Sequence, residues 1–479
     1  MRLISHGAAE TVTGSCHLLE ITSHFKLLVD CGMFQGLNEE LNYQPFGFDP
    51  AQIKLLLVTH AHLDHVGRIP LLVKQGFDGR IITTRATWEL MEIVLLDSAK
   101  LMEEDYRTQL RKAQRRGEAD LVPNPLYTQR DVRHLFETVS VQFADYNKPV
   151  RLTEFLTATF RNASHILGSA TISLHVGNGP DAKTLVFSGD LGNRNDPVLP
   201  PPDHVHEADA LFIESTYGDR NHRPIKDSIE EFRDTITRTL KRGGNVIIPS
   251  FAIERTQEVL CILRDLERQH RLPPCAIFVD SPMATRATRV YDRYPDLLSR
   301  HCTEHMRNGV AFDLPNLMFT EDVSASRAIN AIERGAIIIA GSGMCNGGRI
   351  LHHLKHRLWN RDNSVIFVGY QAQGTLGRKL VEGAQWVRIY NEDIRVKAEI
   401  VSINGFSAHA DQRELLDWMK HFHRLEQIFL IHGEIDKMHI FRAAILKALG
   451  KRAHIVKRGE SIWLGEVDIS GHPKHGHKR

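Results

Sequence analysis

The segment Thr59-His60-Ala61-His62-Leu63-Asp64-His65-Val66-Gly67 sets three imidazoles and one carboxylate within His60 to His65. Neutral imidazole and carboxylate are ligands that zinc takes readily. Three His and an Asp are more than one tetrahedral ion can easily use, so the spacing predicts two ions. His165 and Asp190 each sit in a Gly/Ser turn, Ser164-His165-Ile166-Leu167-Gly168 and Ser188-Gly189-Asp190-Leu191-Gly192. Alone, each reads as a turn or capping residue. With the His cluster they supply what is missing: a further imidazole, and a carboxylate whose two oxygens can bridge two ions. Asp30, at the end of an apolar run, is either a turn residue or a carboxylate that orients a metal-bound imidazole.

The elements around these residues follow from patterning. Ile53 to Val58 is nearly continuously apolar, as a strand buried on both faces reads. Gly67 and Pro70 punctuate its exit, so the ligand loop opens from a strand toward a helix. A strand hairpin is expected within 2–31, further strands at 81–84, 156–160, 170–176 and 184–187, and a helix over 88–101. From about residue 208 strand and helix alternate. Strands are expected at 210–213, 246–248, 276–279, 336–340 and 365–368, and helices at 229–240, 254–270 and 349–359. This rhythm predicts a doubly wound parallel sheet whose ligand edge is the carboxyl ends of its strands. Ser342, Gly343, Gly347, Gly348 and Arg349 form a strand-to-helix loop that reads either as a phosphate cradle or as a plain tight turn. Ser407 is a further phosphate-binding candidate. Strand text resumes at 396–401, and two more chemical words follow, Ser407-Ala408-His409-Ala410-Asp411 and His432-Gly433-Glu434. A lone strand-end His is more often structural.

Composition narrows the field. A chain of 479 residues predicts two domains. Its 42% hydrophobic and 25% charged residues describe an ordinary soluble protein. Lys+Arg 60 against Asp+Glu 58 gives a net charge of +2, so nucleic-acid binding would need a local patch. Arg107, Arg111, Lys112, Arg115 and Arg116 are either a solvated helix face or a positive rim for a polyanion. The six Cys lack any C-x-x-C spacing and read as reduced thiols of a cytoplasmic protein. Met1 to Glu10 has no secretory apolar region, and no run reaches ~18 apolar residues, so no membrane partner is expected. The basic tail Gly471 to Arg479 is expected to be disordered.

These motifs carry a resemblance. The His60–His65 cluster with Asp30, His165 and Asp190 resembles the metallo-β-lactamase superfamily, an α/β class built as an αβ/βα four-layer sandwich. Glu214 at a strand end, His409 and His432 resemble the three motifs of its β-CASP branch of nucleic-acid nucleases. The resemblance runs from Asp30 to His432. It implies a sandwich from 1–207 and 395–479, an inserted doubly wound β-CASP domain at 208–394, and an active site in the cleft between them. It implies His60, His62 and His165 on one zinc, Asp64, His65 and His432 on a second, and Asp190 bridging. The implied catalytic residues are Asp64, His409 and Glu214. Two Zn²⁺ would share a hydroxide that attacks phosphorus, with His409 as general acid and Glu214 as its partner. Branch members acting on RNA carry His at the third motif, so His432 points to RNA as substrate and to a ribonuclease. The other functions considered are a dinuclear-zinc hydrolase of thioesters or lactones, and an inactive RNA-processing scaffold. A homodimer is the candidate oligomer.

Overall fold

The computed structural model describes residues 1–306, 309–403 and 405–469. The expected tail at 471–479 lies outside them. The chain divides into two compact units: one holds Met1–Gly192, Pro201–Asn221 and His409–Arg479, the other Asn193–Pro200 and His222–Ala408.

The first unit holds two seven-stranded sheets among the described residues. Across one sheet the strands run Ser461–Trp463, Arg2–Gly7, Cys16–Glu20, Lys26–Val29, Ile53–Leu57, Arg80–Thr83 and Val141–Phe143. Across the other they run Ala453–Ile455, Arg424–Leu430, Glu207–Ile213, Lys183–Phe187, Ala170–Val176, Leu156–Asn162 and Pro149–Arg151. Side-chain alternation assigns the layers. Leu185, Phe187, Phe212 and Phe429 share one core with Leu3, Leu19, Leu27, Leu55 and Leu57 of the facing sheet. Their neighbours Val186, Leu211, Ile213, Ile428 and Leu430 turn the other way, against Leu415 and Trp418 of helix Gln412–Met419 and Met438, Phe441 and Ile445 of helix Ile435–Leu449. Helix Arg85–Gln114 buries Ala86, Leu90, Met91, Val94 and Leu95 in its first half. Two sheets face to face with helices outside make the four-layer sandwich.

The second unit is built on a six-stranded sheet ordered Leu317–Phe319, Ala276–Asp280, Ala336–Ala340, Val246–Pro249, Ser364–Phe367 and Glu399–Ser402. Every pairing in it is parallel. Ile247, Val365 and Phe367 pack on Ile350, Leu354 and Leu380, while Phe278 and Ile338 pack with Ile329. Helices on both faces explain why these strands read as unbroken apolar runs.

Several elements differ from the reading of the sequence. The helix expected at 88–101 runs Arg85–Gln114, because the Thr84 side chain accepts from the Thr87 amide and Leu, Arg, Lys, Ala and Gln continue it. The strand expected at 396–401 is Glu399–Ser402 and pairs with Ser364–Phe367 in the second unit. It follows a hairpin, Trp386–Ile389 with Glu392–Arg395, whose second strand is almost wholly polar and so carries no apolar period. The position 207/208 falls inside the strand Glu207–Ile213. Among the described residues no helix is long and apolar enough to cross a membrane.

Candidate metal centre

Six strands of the first unit deliver the chemistry at their carboxyl ends. Lys26–Val29 leads to Asp30, Ile53–Leu57 to His60, and Leu156–Asn162 to His165. Lys183–Phe187 leads to Asp190, Glu207–Ile213 to Glu214, and Arg424–Leu430 to His432. His65 lies on the short helix Leu63–Val66 that follows the ligand loop.

Two side-chain sets converge there. His60, His62, His165 and Asp190 present ligand atoms within 4.8 Å of one another, and so do Asp64, His65 and His432. In the first set His62 Nδ1 lies 3.2 Å from His60 Nε2 and 3.0 Å from His165 Nε2. Asp190 Oδ2 is 3.5 Å from both His60 Nε2 and His165 Nε2. In the second, His432 Nε2 is 3.2 Å from His65 Nε2 and 3.4 Å from Asp64 Oδ2. Asp190 Oδ1 is 3.4 Å from His65 Nε2. A zinc tetrahedron with bonds of about 2.0–2.1 Å has edges of roughly 3.3 Å, so both sets match the donor spacing of an ion. Asp190 Oδ1 is buried and has no well-formed hydrogen bond among the described residues, its neighbouring His65 and His432 nitrogens lying 3.4 and 3.5 Å away. Such an orphan oxygen costs free energy unless something else satisfies it, which a cation would do.

Electrostatics prepare the same exchange. Burial, then repulsion by His65, holds His60 well below its ordinary value, and burial brings His62 down to about 4. Both rings are therefore neutral and able to ligate. Burial opposes ionisation of Asp190, but His432, His65 and His60 hold its carboxyl well below the usual range. Burial likewise opposes Asp64, while a hydrogen bond from His432 and the charge of His65 bring it down to about 2. Burial would lower His65, but Asp190 and Asp30 drive it well above the imidazole range. An arriving cation would displace that proton, as metal binding to imidazole does generally.

The supporting contacts are specific. His65 Nδ1 donates to Asp30 Oδ2 at 2.7 Å, and Asp30 also accepts from the Thr59 amide and hydroxyl, each at 2.8 Å. Asp30 (φ 60°) and His432 (φ 50°) hold left-handed backbone without being glycine, a strain that tends to gather at functional sites. Two glycines permit contacts that a side chain would forbid. A Cβ on Gly32 would lie 1.6 Å from the Asp64 carbonyl oxygen, and one on Gly192 would lie 1.6 Å from that of Ser164.

Beside the two sets stand Glu214, whose carboxylate lies within 4.8 Å of ligand atoms of Asp190 and His432, and His409. Glu214 is fully buried. Its Oε1 accepts from the Leu191 amide at 2.6 Å, and both its oxygens lie 3.2 Å from His409 Nδ1. The His409 ring centroid is 4.5 Å from that of His165.

Other residues fall elsewhere. Arg349 donates to Asp280 Oδ1 at 2.7 Å and to the Thr320 and Glu321 carbonyls at 2.9 and 2.7 Å. Ser342 Oγ accepts from the Asn346 and Gly347 amides at 3.1 and 3.3 Å, so this loop, with Gly343 and Gly348, folds on itself in the second unit. Ser407 is buried, two residues before His409. The sequence reading missed Thr216, whose Oγ1 is 3.1 Å from His432 Nδ1. Its nearness to Glu214 in the chain was the only signal. It also missed a grouping of Cys261, Asp265 and His301 in the second unit. There the Arg264 guanidinium donates to Cys261 Sγ at 3.3 Å and to Asp265 Oδ1 at 3.1 Å.

Comparison with known proteins agrees with this geometry. The sequence matches the metallo-beta-lactamase superfamily over residues 10–250, the Beta-Casp domain over 256–380, and the Zn-dependent metallo-hydrolase RNA specificity domain over 393–456. It is 41% identical to Ribonuclease TTHA0252 of Thermus thermophilus over 96% of this chain and 100% of the relative. It is 32% identical to an RNase J-like protein of Methanocaldococcus jannaschii, over 95% of this chain and 97% of that one. It is 30% identical to transcription termination factor FttA of Methanosarcina mazei, over 97% of this chain and 72% of the relative. A crystal structure of a protein of unknown function from Enterococcus faecalis superposes with a TM-score of 0.54 at 11% identity, over 96% of this chain and 99% of that one, a likeness of fold.

Proposed function

We propose that this chain, which belongs to the metallo-beta-lactamase superfamily and its β-CASP branch, is a zinc-dependent ribonuclease that hydrolyses RNA phosphodiester bonds. The observation that carries the proposal is the buried Asp190, whose two oxygens face two different His sets at 3.4–3.5 Å. The ribonuclease names of two relatives and the RNA specificity domain match support RNA as the substrate.

His60, His62 and His165 would hold one zinc, Asp64, His65 and His432 another, with Asp190 between them. When bound, the ions supply a water-derived nucleophile at neutral pH and offset charge that develops on the phosphoryl oxygens. The remaining work belongs to the protein. Asp30 fixes the ring of His65 through Nδ1, and Thr216 does the same for His432. The leaving 3′-oxygen needs a proton, and His409 would give it. Glu214 accepts a hydrogen bond from His409 Nδ1–H, so the transferable proton would be the one on Nε2. Burial works against a charged His409. The Glu214 carboxylate, with Asp190 and Asp64 further off, outweighs it and raises the ring to about 9. The charge of dications beside Asp190 and Asp64 would pull this back toward neutrality, where a general acid works best. The six cysteines are all unbonded thiols, which supports a reducing, cytoplasmic setting.

The test is direct. Purified protein is offered labelled linear and circular RNAs, and separately thioester and lactone substrates. Cleavage of RNA that stops on chelation is expected, and cutting of the circle would mark endonuclease action. Turnover of a thioester or lactone with RNA left intact would replace this reading with the other hydrolase class.

A further inference from the structure

The helix Arg85–Gln114 has thirty residues, a length of about 45 Å. Its buried residues end at Ala99. Glu103 still ties it to the rest of the unit, accepting from the Gln129 amide at 2.8 Å. Beyond Glu103, no helix side chain bonds to a distant part of the chain among the described residues.

Past Glu104 and Asp105, that outlying stretch carries one sign of charge. Arg107-Thr108-Gln109-Leu110-Arg111-Lys112-Ala113-Gln114-Arg115-Arg116 has five cations and no carboxylate, in a chain whose net charge is only +2. Arg107 and Arg111 stand one helical turn apart, Arg115 caps the helix at the same four-residue spacing, and Arg116 follows it, so like charges crowd the helix end. Such pairs cost stability. The helix dipole rewards cations in its last turn, which covers Arg111 and Lys112 but not the whole stripe. Arg107 reaches Glu103 at 3.4 Å. Lys112, Arg115 and Arg116 are exposed and make no ion pair among the described residues. An anionic lipid surface would ask for an apolar face beside the charges. Here the apolar residues, Leu110 and Ala113, are both half-buried.

We infer that Arg107–Arg116 is an RNA exosite, a stripe that binds the sugar–phosphate backbone apart from the metal ligands. It rests on the ribonuclease reading and adds a substrate contact to it. Its chemistry is charge alone, so it is independent of base sequence and sensitive to salt.

The test uses the full zinc-loaded chain and a long unstructured RNA, with kcat and KM measured across a salt series. The triple variant K112Q/R115Q/R116Q removes exposed cations and leaves the core untouched. Each phosphate contact on single-stranded nucleic acid contributes about 0.7 to the salt slope, so the slope of log(kcat/KM) should fall by roughly 2. KM should rise about tenfold or more at low salt, with kcat unchanged. A control triple, K54Q/K241Q/R361Q, removes three exposed cations elsewhere and should keep the wild-type slope. An unchanged slope in K112Q/R115Q/R116Q, or an equal fall in the control, overturns the exosite. So does capture by phosphatidylserine vesicles that the triple variant abolishes while RNA kinetics stay put. If the wild type cleaves RNA and the triple variant matches it, only the exosite fails. A wild type that cleaves no RNA removes the ribonuclease reading and the exosite together.

Discussion

Asp190 carries the most consequence of any single side chain. It is buried, ionised, and placed so that each oxygen meets a different ligand set. Asp30 works at one remove. Asp30→Asn keeps the shape but weakens the grip on His65 Nδ1, so zinc affinity should fall 10–100-fold, measured by competition with a chelator of known affinity. His409 should behave differently. His409→Ala is expected to lower turnover ~10²–10⁴-fold while zinc content and RNA affinity stay near wild type. Glu214→Gln should show a milder loss. A His409→Ala protein that sheds zinc, or turns over normally, would remove it from the proton-transfer role. The residues that converge in the two sets were legible in the sequence because their types are unusual at strand ends and their spacing is tight. Thr216 was not, since a Thr in a turn has many ordinary uses. Arg349 shows the reverse: its place at a helix start suggested phosphate, yet its guanidinium is spent on Asp280 and two carbonyls.

At the scale of elements, the centre depends on loops that touch backbone to backbone. Gly192 presses on Ser164, next to His165. Gly192→Ala must push these loops apart, and zinc affinity should fall roughly tenfold or more, as when a ligand loses its support. Gly192→Ala with wild-type zinc binding would mean that the contact is not needed. In the second unit the segment Asn193–Pro200 carries Asp196. Burial, then the charge of Glu258, raises its carboxyl to about 7, against the pull of the Leu199 and Val198 amides. A carboxyl raised in the folded state favours folding while protonated, so this contribution is lost as pH climbs from about 4 through about 7. Asp196→Asn keeps the amide contacts and removes the charge. It should raise the thermal midpoint at pH 8 more than at pH 5; an equal change at both would contradict the assignment. Strands with unbroken apolar runs, such as Ile53–Leu57 and Ala336–Ala340, were legible, because burial on both faces leaves a plain signature. The helix Arg85–Gln114 was only half legible, since its second half buries nothing and has no hydrophobic period.

At the scale of the molecule, the alternation that begins near residue 208 did announce a parallel sheet. It could not announce that its first strand, Glu207–Ile213, pairs with Arg424–Leu430, more than two hundred residues later in sequence. Register between distant strands depends on which faces meet, and composition along one segment does not encode that. The same long reach brings Glu214, His409 and His432 to strand ends already holding His60 and Asp190. The proposal that organises all of this is that the protein needs two zinc ions, which these His and Asp residues would hold, to hydrolyse RNA. The measurement that tests it most directly is the rate of RNA cleavage as zinc is titrated into chelator-stripped protein. The expected result is no cleavage without metal, little at one equivalent, and a plateau at two per chain. Full activity at one equivalent, or cleavage by the stripped protein, would contradict it.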